Sequence, residues 1–337
     1  MRKRIYKPVK RIWIVVSVCV LLAAAAALCG AWRGYALLSK ALDGRRERPA
    51  AMTHLSEFAL REQMHMSHAV SQMNGWLSFV NMSEVTLEDG GMHRHAKVYD
   101  AIREEKRSAW ALVLHGGLGT DHNQILDVAC EFSLAGYRVL TPDLVSHGRS
   151  EGDLTSLGLR EQADVAAWMD WIKKQDPFAE IVIWGHDEGA VSVLLAASCG
   201  MDESVRAIIA DSPYLSIEER FMQMLEESEK EISAMDRFLA KLAYRAMFGE
   251  MDSVDLRKAV SECRIPILLI YGSGDEDTPA WYGEELMEAA EENVSLMLIE
   301  GAVHGMARYG DPKAYYGAIM AHCDKAFETS EPNLETG

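Results

Sequence analysis

From Glu84 onward, short apolar runs alternate with longer stretches of mixed character. The runs are AWALVLH (109 to 115), YRVLTP (137 to 142), EIVIW (180 to 184), RAIIA (206 to 210), IPILLIYG (265 to 272) and SLMLIEG (295 to 301). Several are apolar at every position rather than at alternate ones, which predicts strands covered on both faces. Helical spacing recurs between them, at 158 to 175, 188 to 199, 280 to 291 and 311 to 327. Strand and helix in repeated alternation predict an α/β domain over 81 to 330 with a mostly parallel central sheet flanked by helices. One interval breaks the rhythm, because 213 to 262 is helical and charge-rich throughout. It reads as a small helical cap insertion at the carboxyl ends of the strands, where such sheets place their ligands.

The N-terminus follows another pattern. Ile12 to Trp32 is apolar except for Ser17 and carries no charge, and as a helix it reaches about 30 Å, enough to cross a bilayer core. The segment is expected to be a transmembrane signal anchor, with 1 to 11 a basic cytoplasmic tail and 33 to 80 a stalk and entry helix. Basic residues lie on both sides of the span, so orientation rests on the tail: a short segment carrying Arg2, Lys3, Arg4, Lys7, Lys10 and Arg11 resists translocation. That places the large domain outside the cytoplasm. Cleavage after the small residues Ala23 to Ala27 is the rival reading.

All 51 acidic residues lie beyond residue 32, and the whole chain has a formal net charge of −17. Such a domain repels nucleic acid, so a small-molecule substrate and the membrane are the expected partners. Of six cysteines, two sit in the apolar span and four are scattered. No metal-ligand spacing or disulfide framework is visible, and neither a metal nor a cofactor is expected.

Three features bring chemistry to the strand ends. His115-Gly116-Gly117-Leu118-Gly119 follows the first run, where the backbone N–H groups of Gly117 and Leu118 can face a developing oxyanion. GHDEGA (185 to 190) stands between the strand EIVIW and a helix, with Gly185 and Gly189 flanking Asp187. This is the spacing of a nucleophile elbow, and it makes the Glu188 N–H a further oxyanion donor. Asp275 and His304 then lie on the loops after the last two strands, in YGSGDEDTP and EGAVHGM. The chain order is elbow residue, acid, histidine.

On VLHGGLG, GYRVLTPDLVSHGRSEGD, GHDEGA, DSPYLS, RIPILLIYGSGDEDTP and GAVHGM, the chain resembles the α/β-hydrolase superfamily from about Glu84 to Phe327. It is most similar to membrane-anchored bacterial hydrolases of the serine-aminopeptidase-like branch. The resemblance implies an α/β-hydrolase fold, a catalytic set of Asp187, His304 and Asp275, and a structural role for His147. Ser146, Ser150 and Ser192 lie off the elbow, and His186 is expected to pack away from the site.

Asp187 departs from that branch, which has serine at this position. A carboxylate attacking a carbonyl would give a high-energy anhydride, whereas attack on a saturated carbon gives an alkyl ester that histidine-activated water can open. The elbow looks like the GHDWG type of epoxide hydrolases, although HGGL lacks their proline and Glu188 replaces their aromatic residue. Tyr214 and Tyr244 are the tyrosines available in the insertion. Two readings follow: a membrane-anchored hydrolase with an Asp-His-Asp site, acting on a small ester, amide, epoxide or similar substrate, or a silenced homologue that binds a small molecule, lipid or peptide.

Overall fold

The apolar runs form the interior of a single eight-stranded sheet in a computed structural model that describes residues 6–46, 57–103, 108–229, 231–251, 254–290 and 292–328. The strands are β1 (Met82–Asp89), β2 (Met92–Tyr99), β3 (Ala109–Leu114), β4 (Arg138–Pro142), β5 (Glu180–His186), β6 (Val205–Asp211), β7 (Ile267–Gly272) and β8 (Val294–Ile299). Their order across the sheet is β1-β2-β4-β3-β5-β6-β7-β8. Every neighbouring pair from β4 to β8 is parallel, whereas β1 pairs with β2 and β2 with β4 antiparallel. The sheet is therefore mostly parallel, as expected, and antiparallel at one edge.

The antiparallel hairpin escaped the apolar pattern for a physical reason. β1 reads MSEVTLED and is exposed at most positions, as an edge strand with one solvated face is. In contrast, β5 and β7 are buried along almost their whole length.

The helices are α1 (Tyr6–Leu42), α2 (Glu57–Leu77), α3 (Leu126–Leu134), α4 (Gln162–Gln175), α5 (Glu188–Ser198), α6 (Ile217–Ser228), α7 (Ala234–Phe248), α8 (Leu256–Glu262), α9 (Trp281–Ala289), the single turn α10 (Ala307–Gly310) and α11 (Pro312–Glu328). The core on one face of the sheet joins Val113, Val182, Trp184 and Ile270 to Phe132 of α3 and to Tyr315 and Ile319 of α11. Trp76 of α2 belongs to the same core, and its indole N–H donates to Ser133 Oγ at 2.9 Å.

The chain divides into two compact units, Met1–Leu42 with Phe221–Met251, and Asp43–Arg220 with Asp252–Gly337. This redraws two expected boundaries. The stretch 33 to 80, expected to be a stalk and an entry helix, divides between the units: α1 runs on to Leu42, and α2 packs on α3 and α10 within the larger one. The interval 213 to 262 also splits, since α8 packs on α5 in the larger unit and only Phe221–Met251 groups with α1.

Within the smaller unit, α1 is one helix, and its Val16–Leu42 portion is long and apolar enough to cross a membrane. Arg2, Lys3 and Arg4 of the expected basic tail lie outside the described residues.

Candidate active site

β5 ends at His186, and α5 begins at Glu188, so a single residue makes the turn. That residue is Asp187, at φ 49° and ψ −114°, a conformation that costs energy for any residue other than glycine. The turn is possible because its flanks carry no side chains. A Cβ on Gly189 would collide with the carbonyls of Leu114 and His115, and one on Gly185 would meet the Gly189 carbonyl. The elbow geometry read from the sequence is present.

The turn points Asp187 into a cavity of about 560 Å³ lined by Gly117, Leu118, His186, His304, Met306 and Arg308 among others. Gly117, at φ 84°, lies beside the carboxylate, and a Cβ there would stand 3.1 Å from Asp187 Oδ2. His304 Nε2 is 3.8 Å from the same oxygen. On its other side, His304 Nδ1–H donates to Asp275 Oδ2 at 2.9 Å. Asp275 is itself fixed: the N–H groups of Asp277 and Thr278 donate to Oδ1, and the Thr278 hydroxyl donates to Oδ2 at 2.6 Å. Three residues from three separate loops therefore meet in one line, Asp187, His304, Asp275.

Sequence reasoning missed a fourth member. Arg220, on the first turns of α6, donates through Nη2 to both oxygens of Asp187, at 3.3 and 3.1 Å. Both side chains are about 3% exposed. Burial disfavours the Asp187 carboxylate, but the Arg220 charge and His304 outweigh it and hold the acid well below its usual range. Burial likewise disfavours the imidazolium, yet Asp187 and Asp275 together raise His304 to about 10. At neutral pH the resting site is an Asp187 carboxylate between two cations.

Glu188 behaves oppositely. Its side chain turns away from the cavity and hydrogen-bonds to Thr155 Oγ1, while its Oε2 is buried with no hydrogen-bond partner. Burial and the neighbouring Glu161 push its carboxyl well above the usual range, favouring the protonated form.

His186 corrects an expectation. It lines the cavity instead of packing away from it, with its ring centroid 5.4 Å from that of His304. The other exclusions agree with the structure. His147 is buried against His115 and bonds the Val145 carbonyl at 3.0 Å, while Ser150 and Ser192 donate to backbone carbonyls. Tyr214 is buried beneath the Arg220 guanidinium, 5.7 Å from its ring centroid, and its hydroxyl has no hydrogen-bond partner. Tyr244 packs against Phe221 and Phe248 in the smaller unit.

One group of possible metal ligands stands apart from this cavity, namely His95, His122 and Asp143. The Asp143 carboxylate already accepts four donors: the backbone N–H groups of His122 and Arg149 and the Nδ1 atoms of His95 and His122. Despite burial, those bonds hold the acid well below its usual range. Three separate elements supply the group, which is why no ligand spacing is visible in the sequence.

The sequence profile described as the alpha/beta hydrolase fold matches residues 111–246. In structure, the chain is similar to the Pyrococcus furiosus esterase Pf2001, with a TM-score of 0.59 at 17% identity over 83% of this chain and 99% of that one. The chain has the α/β-hydrolase fold.

Other proteins similar to this α/β-hydrolase-fold chain include Est1E from Butyrivibrio proteoclasticus, solved with ferulic acid bound, with a TM-score of 0.55 at 20% identity over 72% of this chain and 99% of that one. Among curated sequences, the uncharacterized protein YqkD of Bacillus subtilis is 25% identical over 203 residues, 58% of this chain. The uncharacterized protein Rv2307c of Mycobacterium tuberculosis is 25% identical over 221 residues, 65% of this chain and 69% of that relative. The match spans 65% of the length of YqkD.

Proposed function

We propose that the protein is a membrane-tethered hydrolase in which Asp187 attacks an electrophilic carbon of a small substrate, His304 moves the protons and Asp275 orients His304. The observation that carries this reading is the arrangement at the elbow: Asp187 faces the cavity with His304 Nε2 3.8 Å from its Oδ2, Asp275 behind His304, and Arg220 beside it favouring the ionised acid. Of the substrate types compatible with the fold, an epoxide or similar strained ether fits that state best. Carbonyl attack by a carboxylate would give an anhydride, whereas attack on the saturated carbon gives an alkyl ester.

The proton inventory closes. Asp187 bonds to carbon, the C–O bond breaks, and the released alkoxide takes the His304 proton. Esterification removes the Asp187 charge that raised His304, so the imidazole becomes neutral and basic. It then accepts a proton from the water that opens the ester, which restores the Asp187 carboxylate and the imidazolium and releases a diol. The N–H groups of Gly117, Leu118 and Glu188 are assigned to the oxyanion formed on the Asp187 ester carbon, and the N-terminus of α5 favours negative charge there. The apolar part of α1 is assigned to the bilayer, with the N-terminus cytoplasmic and the hydrolase domain outside.

Single turnover of a panel of short epoxides and esters in heavy-oxygen water tests this reading. The expected result is label incorporated into Asp187. A substrate turned over with no label in Asp187 would exclude the covalent step.

One observation favours a second reading, a silenced protein that binds its ligand without turnover: the Arg220 ion pair engages the very oxygens that must attack. If Asp187→Ser gains ester hydrolysis and the wild type has no activity toward any member of the panel, the silenced reading stands.

A further inference from the structure

The smaller unit has a surface that the catalytic reading leaves unused. α7 lies along the C-terminal part of α1, and the pairs set the direction: Lys40 with Glu229 at 3.0 Å, Arg33 with Asp236 at 2.8 Å, then Leu239 against Gly30 and Gly34. Rising numbers toward and along α7 meet falling numbers on α1, so the two helices are antiparallel. The approach is close, because a Cβ on Gly34 would collide with the Leu239 carbonyl. Small residues four apart in an apolar helix make such a backbone contact possible.

With its inner side against α1, α7 exposes Met235, Phe238 and Leu242, at 63%, 60% and 51%. Their spacing of three and four residues places them in one stripe. Beside it run Arg237, Lys241 and Arg245, one turn apart and basic. On α1, Leu28, Trp32 and Tyr35 are exposed at 72%, 72% and 49%, again at spacings of four and three. Apolar side chains this large, exposed together on two packed helices, exceed what a soluble surface carries by chance. An apolar stripe with cations beside it, and Trp and Tyr at the same level, is the composition found where a helix meets the boundary of headgroups and acyl chains.

We propose that α7 is an interfacial helix in the sense that it stands upright beside α1 and reaches lipid at the interface level. Its Met235, Phe238 and Leu242 stripe seats at the boundary of headgroups and acyl chains in the bilayer that α1 crosses, on the side where α1 leaves it. The two exposed stripes face different sides of the helix pair at one level, which suits a surrounding lipid layer as the occupant rather than a single docked partner. The ion pairs Arg33–Asp236, Lys40–Glu229 and Arg237–Glu226 neutralise charges at that level. The inference rests on the membrane reading of α1, and it gives the chain a second contact with lipid that the sequence pattern does not reveal.

The test uses the full chain in vesicles of phosphatidylethanolamine and phosphatidylglycerol, with the exposed Cys19, Cys29 and Cys199 changed to serine. An environment-sensitive fluorophore is placed at Phe238→Cys, Leu242→Cys, Leu21→Cys or Phe178→Cys in separate proteins. Lipids carrying a nitroxide near the headgroup end of the acyl chain serve as quencher. The expected result is that labels at 238 and 242 lose at least half as much fluorescence as the label at 21, while the label at 178 stays bright. Quenching at 21 with 238 and 242 behaving like 178 overturns the interfacial helix and leaves the membrane span standing. Labels at 238 and 242 that report an apolar environment but resist lipid quencher also overturn it, in favour of a second copy of the chain covering α7. Absence of quenching at 21 defeats the span itself, and the inference with it.

Discussion

Asp187 and Glu188 are consecutive, chemically alike and almost fully buried, yet their acidities shift in opposite directions on the two sides of one turn. On the cavity side, Arg220 and His304 supply positive charge and Asp187 is held as a carboxylate. Behind the turn, Glu188 meets Thr155 and the acidic Glu161, and burial there leaves the proton in place. The difference shows that burial alone does not set the charge of a carboxyl group; the cation brought to it does. Under the proposed function, the first is the anion that attacks, while the second hydrogen-bonds to Thr155 behind the turn.

The largest way to break this contrast is to remove the anion. Asp187→Ala leaves Arg220 buried without this partner and is expected to cost about 3–5 kcal/mol in urea unfolding, as the loss of one member of a buried pair does. Adding Arg220→Met should recover at least half of that loss. Equal destabilisation by the single and double variants would show that Arg220 is not the counter-ion.

A smaller effect concerns His304. Its folded value near 10 exceeds its ordinary 6.5, so the stability it contributes is fully present below about 6.5 and is lost as pH rises through about 10. Unfolding measured between these limits should show that loss in the wild type and a flat difference in His304→Gln. Asp187→Asn should move the His304 titration, followed by its ring proton resonances, toward the ordinary value. A titration that does not move would sever the coupling between the two residues.

Glu188 responds in the other direction. A raised acid binds its proton more tightly when folded, so it disfavours folding increasingly as pH climbs above its unfolded value. Glu188→Gln is therefore expected to raise the melting temperature at neutral pH and to leave it nearly unchanged under acidic conditions. Destabilisation at neutral pH would mean that Glu188 is ionised. Smallest of all, Thr155→Val should cost about 1 kcal/mol through the lost hydroxyl bond to Glu188.

Much of this architecture is legible in the sequence where signals are local. The central strands are continuous apolar runs, and the glycines around Asp187 announce a sharp turn, as do the loops that carry Asp275 and His304. Arg220 is illegible because nothing near it marks it: it is one charged residue among several on a charge-rich helix, and only folding brings it to Asp187. The place of His186 is illegible because a residue beside an exposed elbow carboxylate is expected to point elsewhere, whereas Gly305, without a side chain, leaves room for the His186 ring at the cavity wall. The β1–β2 hairpin carries too much charge on its solvated face to stand out as apolar. Nothing in the sequence marks Gly30 and Gly34, and their close contact with α7 appears only once Leu239 is packed on them.

The central claim is that Asp187 itself bonds to carbon. His304→Gln removes both proton transfers assigned to His304; solvent water can slowly protonate the alkoxide released in the first step, but no other side chain is assigned as the base of the second, so the alkyl ester should form slowly and accumulate. The decisive measurement is intact-protein and peptide mass spectrometry of this variant after exposure to short epoxides that the wild type consumes. The account predicts one added substrate mass, located on Asp187 and absent from His304→Gln carrying Asp187→Asn. An unmodified Asp187 in a variant that still consumes the epoxide, or an adduct on another residue, would contradict it.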